Sequence, residues 1–337
     1  MQDCFKRNID YLRVSLTSNC NLRCQYCMPE QKIKQTEEML SQKNLIHLVE
    51  LISSTGIKKI RLTGGEPLLY PNIEDLIIRF KAIQGIEKIV LTTNGILLSN
   101  KVDVLKKAGI SGINLSLDCI DKDLFREITR GGDIDKVLLG IKLAQKENIP
   151  LKINSVIMQG INEKEIIPLI EFANCNKIDL RFIELMPMNV AKNFKAVKED
   201  DLKAIISKKY GALKQIDVFE GPAHYYQVEN LSIKIGFISA LSHKFCANCN
   251  RLRLTSTGML KPCLHYNSGV NLNTGSVASG AWSISSMNWS NFGVMMICVR
   301  RLRILPSGVS LEATGLYSPR PAADKRLGST PYVFCKA

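Results

Sequence analysis

The residues with the clearest capacity for chemistry are three cysteines that lie within eight positions. Cys20, Cys24 and Cys27 are separated by three and then by two residues, and they follow a predicted strand. Three thiolates in so short a segment can close on one metal centre at little cost in loop entropy. A four-iron cluster usually takes four cysteines, so three would leave one iron without a protein ligand. The spacing therefore predicts a metal centre with an open coordination position, as a catalytic metal needs.

A zinc ion is the alternative occupant of this first triplet, with His47 or a distant cysteine as the fourth ligand. Zinc motifs generally use paired C-x2-C knuckles, which this spacing does not match. Three buried free cysteines are the remaining interpretation, and the polar neighbours of the triplet disfavour it.

A second cysteine group follows much later in the chain. Cys246, Cys249 and Cys263 form a C-x2-C-x13-C pattern. By spacing alone, the pattern fits an iron–sulfur cluster and a structural zinc site equally, the latter completed by His243 or His265.

Bulk composition narrows the class of protein. The 337 residues are 45% hydrophobic and carry a formal net charge of +14, which favours an anionic partner. The lysines are spread over the first 270 residues rather than gathered in a stripe, so a nucleic-acid partner is not expected. The N-terminus is polar, and no apolar run approaches the roughly 18 residues of a membrane span, which predicts a cytoplasmic protein without a membrane partner. The eleven cysteines are then expected to be metal ligands or catalytic groups rather than disulfides.

Short strand-like runs alternate with longer segments of helical spacing from residue 11 to about residue 184. Six strand–helix units predict an α/β fold with a parallel sheet. The chemically interesting residues sit at or just after strand ends, which favours a partial (β/α)6 TIM-type barrel with a C-terminal cluster-binding extension over an open doubly wound sheet. Asn162 followed by Glu165 also predicts a capping box that opens a helix. The predicted strands cover residues 11–16, 59–62, 89–92, 113–117, 153–157 and 180–183.

Domain boundaries are predicted from the change of character along the chain. Residues 1–230 form the barrel and end in a connection over 185–230 with one helix at 201–209. Residues 231–270 form the region of the second cysteine group, with strands predicted over 231–265. Residues 271–337 form an atypical tail, in which lysine is scarce and serine, glycine and proline are frequent.

The first triplet resembles the signature of the radical S-adenosylmethionine superfamily, which is C-x3-C-x2-C with an aromatic residue, here Tyr26, before the last cysteine. Residues 63–67, Thr-Gly-Gly-Glu-Pro, resemble the GGEP motif of that superfamily, whose carboxylate can accept from an ammonium. The resemblance implies a [4Fe–4S] cluster whose open iron chelates S-adenosylmethionine, and whose reduction cleaves this cofactor to a radical. The residues implied in cofactor binding are Tyr26, Gly64, Gly65, Glu66, Ser116 and Met186.

Both cysteine groups together resemble the GTP 3′,8-cyclase family of molybdenum cofactor biosynthesis, over residues 5–265. The resemblance rests on residues 11–17, 20–30, 61–67, 91–95, 114–118, 181–186 and 246–254. It implies a second [4Fe–4S] cluster on Cys246, Cys249 and Cys263 that contacts the substrate purine, and conversion of GTP to (8S)-3′,8-cyclo-7,8-dihydroguanosine 5′-triphosphate. An electron donor and a downstream cyclic pyranopterin monophosphate synthase are implied as partners, and the resemblance leaves open a monomer or a homodimer. The implied GTP contacts are Arg13, Arg61, Thr92, Lys152, Arg181, Arg251 and Arg253, of which Lys152, Arg251 and Arg253 are predicted to be catalytic.

The strand arginines also have an interpretation that does not depend on the resemblance. Arg13, Arg61 and Arg181 lie within predicted strands. If they point inward, they line a cavity that suits a triphosphate; the alternative is exterior arginines paired with helix carboxylates. Asn114 and Asp118 are either contacts at the same strand end or solvated residues.

The family ends in a flexible tail that closes with two glycines and reaches the active site, whereas residues 331–337 lack that pair. The expectation is therefore a chain that binds both ligands and cyclises GTP poorly. Two rival functions stay open. One is another radical enzyme with an auxiliary cluster, such as a peptide-modifying enzyme, and the other is a zinc or iron–sulfur protein that binds nucleic acid.

Overall fold

A computed structural model describes residues 1–3, 6–29, 38–218, 221–264, 269–273, 302–305 and 308–311. They fall into two units, Met1–Thr274 and Gly275–Ala337. In the second unit, the described residues form one antiparallel hairpin of Leu302–Leu305 with Gly308–Leu311. Most of the predicted tail, and the terminal residues behind the expectation of slow cyclisation, lie outside the described residues.

Six parallel strands form the centre of the first unit, in the order in which they occur along the chain. Leu12 and Val14 have no exposed surface, whereas Arg13 between them is half-buried, because alternate residues of a strand face opposite sides of the sheet. All six predicted strands are confirmed, with bounds that differ by one or two residues. The strands are β1 (Tyr11–Ser15), β2 (Lys59–Thr63), β3 (Lys88–Thr93), β4 (Gly112–Ser116), β5 (Leu151–Val156) and β6 (Asp179–Ile183).

Helices connect successive strands, and side-chain caps define where several of them begin. The Ser41 hydroxyl accepts from the backbone N–H of Asn44 at 3.2 Å, and the Asp121 carboxylate accepts from that of Leu124 at 2.8 Å, which satisfies donors that a helix start leaves unpaired. No helix among the described residues combines the length and the apolar character that crossing a bilayer requires. The helices are α1 (Gln42–Ser53), α2 (Ile73–Ala82), α3 (Val102–Ala108), α4 (Lys122–Thr129), α5 (Ile134–Lys146), α6 (Ile166–Cys175) and α7 (Glu199–Tyr210). The last of these confirms the helix predicted over 201–209.

The sheet continues beyond the six central strands on both sides. The additional strands are β7 (Leu213–Ile216), β8 (His224–Val228), β9 (Lys234–Ile238), β10 (Arg251–Leu254), β11 (Met259–Lys261) and β12 (Val270–Asn271). β9 pairs parallel with β6, and β10 pairs parallel with β1, whereas the other four strands pair antiparallel at the two edges. The strand order is β12-β11-β10-β1-β2-β3-β4-β5-β6-β9-β8-β7. This confirms a partial (β/α)6 barrel with added C-terminal strands, and the domain boundaries at 230 and 270 stay predictions.

A helix begins directly after Asn162 as predicted, with a 3-10 turn at Glu163–Glu165 that leads into α6, but the predicted capping box is wrong because no side-chain cap forms. The Asn162 side chain is fully buried and donates to the carbonyl oxygens of Asp118 (2.8 Å) and Val156 (3.0 Å). The Glu165 carboxylate accepts from the backbone N–H of Asp121 at 3.1 Å. Tertiary hydrogen bonds that hold the ends of β4 and β5 together therefore take the place of the local capping bonds.

Candidate active site

The first cysteine triplet lies in the loop that follows β1, at the carboxyl edge of the parallel strands. The loop turns at Cys24, whose carbonyl oxygen accepts from the backbone N–H groups of Cys27 (3.0 Å) and Met28 (3.1 Å). Burial raises the pKa of Cys24, and so do the charges of Asp118, Cys27 and Cys20. Burial raises the pKa of Cys20 and Cys27 as well. A metal centre would displace their protons as it binds.

The donor set of this loop fits the predicted cluster. Among the described residues, no three His, Cys, Asp or Glu side chains converge as the ligands of a single metal ion do. An iron–sulfur cluster is held differently, since each thiolate binds a separate iron atom. Thiolates are also the ligands that such clusters select over carboxylates and carbonyls.

Gly64 and Gly65 allow the loop after β2 to lie directly against the residues that lead to Cys20. Gly64 has a φ of +149°, and a Cβ there would lie 2.5 Å from the carbonyl oxygen of Thr17. A Cβ at Gly65 would lie 2.2 Å from the carbonyl oxygen of Asn19. Any side chain would push the two loops apart, so this approach requires the two motif glycines.

Glu66, the acidic residue of the same motif, is fully buried and engaged by internal donors. One carboxylate oxygen accepts from the Leu68 backbone N–H (3.0 Å) and the Thr93 hydroxyl (2.7 Å), and the other accepts from the Asn94 backbone N–H (2.8 Å). Burial raises the pKa of Glu66, although the three donors act against it. The carboxylate therefore ties the loop after β2 to the end of β3, and its predicted contact with the cofactor ammonium stays a prediction.

The side chain of Tyr26 extends from the cysteine loop (residues 20–29) to the end of β4. Its hydroxyl donates to one oxygen of Asp118 at 2.7 Å, and the Val156 backbone N–H donates to the other at 2.8 Å. Asp118 is 8% exposed, so its interpretation as a solvated residue is wrong. Burial raises the pKa of Asp118 to about 6, with the two donors acting against it. Sequence reasoning missed this contact, because 92 positions separate the partners.

A pocket opens beside this contact. It is lined by Cys24, Tyr26, Asn94, Ser116 and Asp118 and by apolar side chains from α4. Ser116 is the last residue of β4, so two residues predicted to bind the cofactor meet a predicted metal ligand here. Met186 follows β6 and does not line this pocket.

All seven predicted GTP residues project from one face of the sheet. Residues paired in register on neighbouring strands point to the same side, as do residues two apart within a strand. Three rows of register partners run across the strands. The first row is Arg253, Arg13, Arg61 and Val90, the second is Thr92, Asn114 and Lys152, and the third is Asn154 and Arg181. Successive rows are offset by two residues, and Arg251 lies two before Arg253. Strand register alone therefore gathers these side chains on the face opposite to the buried Leu12 and Val14.

Arg61 is held in place by neighbours on this face. Its Nη1 donates to the Thr92 hydroxyl at 2.9 Å, and its Nε donates to the Tyr11 hydroxyl. Burial raises the pKa of Tyr11, but the positive charges of Arg61, Arg13 and Lys59 outweigh it, so the net shift is downward. Tyr11 is a site residue that the sequence analysis missed, although its place two residues before Arg13 puts it on the same face.

Arg181 is buried and Arg13 is half-buried, and both have buried guanidinium nitrogens without full pairing. Within the described residues, Nε of Arg13, Nε and Nη2 of Arg181 and Oδ1 of Asn154 have no hydrogen-bond partner. Burial lowers the pKa of Arg13, and the charges of Arg253 and other nearby arginines lower it further. No ion pair between described residues includes a strand arginine, which disfavours exterior pairing with helix carboxylates. Each unpaired buried donor costs about 1–3 kcal/mol, and an anionic ligand would remove that cost.

Lys152 lies on the same face with partners of its own. Its Nζ is 3.8 Å from a carboxylate oxygen of Asp179 and 5.4 Å from the centroid of the Tyr225 ring. The Lys152 ammonium is therefore held by residues of β6 and β8, which lie on the same side of β5 in the sheet.

The second cysteine group surrounds the start of β10. Cys246 begins a 3-10 turn, Cys246–Asn248, and its carbonyl accepts from the backbone N–H of Cys249 at 3.2 Å. Burial and Arg251 lower the pKa of Arg253, whereas the charges of Cys263 and Cys249 raise it, so both thiols lie near this guanidinium. Arg253 is thereby placed next to the second predicted metal centre.

A zinc site in this group would need His243 or His265 as its fourth ligand. Nδ1 of His243 lies 3.5 Å from a carboxylate oxygen of the buried Glu199. His265 lies outside the described residues.

The two cysteine groups lie toward opposite ends of β1 and β10. These strands run parallel with Tyr11 beside Arg251, Cys249 lies two residues before β10, and Cys20 comes five residues after β1 ends. Four strand steps from Tyr11 to the end of β1 span about 13 Å. The unpaired arginines lie along this length, so the site is an elongated basic surface with a thiol group at each end.

Comparisons with known proteins agree with this geometry. Residues 14–173 match the Radical SAM superfamily, and residues 178–279 match the family described as Molybdenum Cofactor Synthesis C. A GTP 3′,8-cyclase of Clostridium perfringens is 46% identical over 276 residues, which cover 81% of this chain and 85% of that protein. Molybdenum cofactor biosynthesis protein 1 of Dictyostelium discoideum is 43% identical over 281 residues, which cover 81% of this chain and 45% of that longer protein.

A solved structure supports the fold independently. Streptococcus suis SuiB bound to its precursor peptide SuiA superposes with a TM-score of 0.61 at 18% identity, over 81% of this chain and 64% of SuiB. Identity that low bears on the architecture alone. The sequence relationship goes further, and this chain belongs to the GTP 3′,8-cyclase family of radical S-adenosylmethionine lyases, which acts in molybdenum cofactor biosynthesis.

Proposed function

We propose that this chain converts GTP to (8S)-3′,8-cyclo-7,8-dihydroguanosine 5′-triphosphate, with one [4Fe–4S] cluster at each cysteine group. The observation that carries the proposal is the set of buried, unpaired guanidinium donors on one sheet face, between two groups of thiols. A nucleoside triphosphate is long enough to lie along such a surface and brings several negative charges to it. Family membership supports the same substrate.

The substrate is held by guanidinium groups that form no ion pair with a carboxylate among the described residues. Arg13 and Arg181 donate to the triphosphate from their unpaired nitrogens, and Arg61 is fixed for the same task by Tyr11 and Thr92. A hydrogen bond to a charged group contributes about 1.5–3 kcal/mol. Several such bonds outweigh the entropy that the nucleotide loses on binding.

Arg251, Arg253 and Lys152 are the residues proposed to act on the reacting nucleotide. The first two lie on the strand that follows Cys249, and Lys152 lies on β5, on the same face of the sheet. Their role is to hold the guanine and ribose in one orientation, since fixing two reacting atoms of one molecule removes much of the barrier to ring closure. Enclosure by the barrel also excludes water from the reacting carbon atoms.

S-adenosylmethionine is proposed to bind at the pocket of Cys24, Tyr26 and Ser116, with Gly64, Gly65, Glu66 and Met186 as further contacts. When bound, this cofactor and the first cluster supply the radical that takes hydrogen from the substrate. The close approach of the two glycines to Thr17 and Asn19 places this motif beside the first cysteine group. An electron donor and a downstream synthase that takes the product are proposed as partners.

Anaerobic reconstitution followed by product analysis tests this proposal. We expect about eight irons per chain, reductive cleavage of S-adenosylmethionine, and a cyclised nucleotide from GTP in the mass spectrum. The amount of that nucleotide also tests the expectation of slow cyclisation. Two zinc ions with tight nucleic-acid binding would overturn the proposal in favour of the zinc rival. Cofactor cleavage with GTP left intact and a peptide modified would support the peptide-modifying rival.

Gly236→Ala is expected to weaken GTP binding although it substitutes none of the residues proposed to contact GTP. Gly236 is the register partner of Arg181, and a Cβ there would lie 2.9 Å from Cγ of Arg181 and 3.1 Å from Cε1 of Tyr225. Overpacking of this kind costs about 1–3 kcal/mol of stability. Displacing one charged donor makes GTP binding roughly tenfold weaker. Calorimetry below the unfolding transition measures the affinity, and an unchanged affinity would show that Arg181 is not a contact.

A further inference from the structure

The C-terminal end of α4 is hydrogen-bonded to the cysteine loop, residues 20–29. The backbone N–H of Arg23 donates to the carbonyl of Thr129 at 3.2 Å, and that of Gln25 donates to the carbonyl of Ile128 at 2.9 Å. These bonds join the loop to the last turn of a helix more than a hundred residues away in sequence. The carbonyls that end α4 are thus paired by the loop rather than by solvent.

Arg130 adds a side-chain contact that spans the centre of the loop. Its Nη1 donates to the carbonyl oxygens of Arg23 and Met28, at 3.1 Å each. These two carbonyls flank the segment from Cys24 to Cys27. One guanidinium therefore bridges the two sides of the turn that carries two of the three thiols.

The backbone of Arg130 is in a conformation that an arginine rarely adopts. Its φ is 53° and its ψ is 56°, in the left-handed region, where helices normally end on glycine. A β-carbon is disfavoured there, and such strain persists where the surroundings impose it and often marks a functional site. Glycine would end the helix at lower cost but would have no side chain to reach the loop.

We propose that Arg130 is a positioning residue for the first metal centre, holding the cysteine loop in its binding shape before iron arrives. The inference rests on the proposed cluster at Cys20, Cys24 and Cys27. A loop ordered in advance loses less entropy when its thiolates take iron, so the cluster assembles more readily and leaves more slowly. The bond between Tyr26 and Asp118 anchors the same loop from the β4 side.

The Arg130→Gly variant separates this role from simple helix termination. Glycine relieves the left-handed backbone strain, so the melting temperature of the variant is expected to stay level or rise. The bridge to the loop is lost at the same time. Arg126→Ala is the matched control, because Arg126 is an exposed arginine one turn earlier in α4.

Amide hydrogen exchange in the metal-free full-length chain is the first measurement. We expect roughly tenfold faster exchange across residues 23–28 in Arg130→Gly, and wild-type exchange in Arg126→Ala. In the reconstituted protein, about half of the iron should pass to a chelator roughly fivefold faster in Arg130→Gly, with the other half unchanged. Arg130→Lys, which keeps a donor, should lie between the two.

Each outcome decides a different statement. Wild-type exchange of the loop in Arg130→Gly would overturn the positioning role, whatever the iron content. A wild-type chain that takes up no iron would overturn the proposed function, and the exchange measurement would still decide whether Arg130 orders the loop.

Discussion

Cys24→Ala is expected to reduce formation of the cyclised nucleotide by at least a thousandfold, about 4 kcal/mol of transition-state stabilisation. Cys24 lies at the centre of its loop, and burial and the two neighbouring thiols raise its pKa. A cluster left with two thiolates in this loop would not be retained, so iron should fall from about eight to about four atoms per chain. GTP binding should persist, since the strand arginines do not depend on this loop.

The control for this prediction is Cys175→Ala. Cys175 is an exposed residue at the end of α6 and belongs to neither cysteine group. Its substitution should leave iron content and turnover at the wild-type level. Full iron and full turnover in Cys24→Ala would contradict the assignment of the first metal centre, and loss of GTP binding in that variant would indicate misfolding instead.

The central fold could be predicted from the sequence because its strands carry two independent signals. Each has an apolar face of period two, seen in the buried Leu12 and Val14, and each is followed by a segment of helical spacing. The strands β7 and β8 were not predicted. The β7 residues Leu213–Ile216 are half-buried or exposed throughout. Their sequence therefore lacks the alternation of apolar and polar residues that predicts a strand. Such edge strands form because a neighbouring strand offers unpaired backbone groups.

The sequence also predicts only those features of the site that depend on the local backbone. The arginines could be predicted to share a face, because register and alternation are set by the backbone. The bonds from Tyr26 to Asp118 and from Arg130 to the cysteine loop could not, because they join segments about a hundred positions apart. Asn162 shows a local signal that holds only in part, since a helix begins after it but its amide binds buried carbonyl oxygens instead of capping that helix. Local propensity is a weak guide where strand ends converge.

Arg13→Met is expected to change stability and binding in opposite directions. The guanidinium of Arg13 is buried among other arginines, which lower its pKa, and its Nε has no partner within the described residues. Methionine fills similar volume without the charge, so the ligand-free protein should gain about 1–3 kcal/mol in free energy of unfolding. Loss of one charged hydrogen bond should weaken GTP binding by about 10-fold to 150-fold.

Thermal unfolding without ligand and calorimetric titration with GTP measure the two effects on the same variant. Arg79→Met is the control, because Arg79 lies on α2 with 57% of its side chain exposed and pairs with Asp75 at 2.8 Å. Losing that surface pair should cost at most about 1 kcal/mol and leave GTP affinity unchanged. If Arg13→Met were less stable and bound GTP normally, Arg13 would be a structural residue. If Arg13 is buried in order to bind GTP, Arg13→Met should be more stable than the wild type and should bind GTP poorly. The reason is that burying the charge costs free energy, which only the bound ligand offsets.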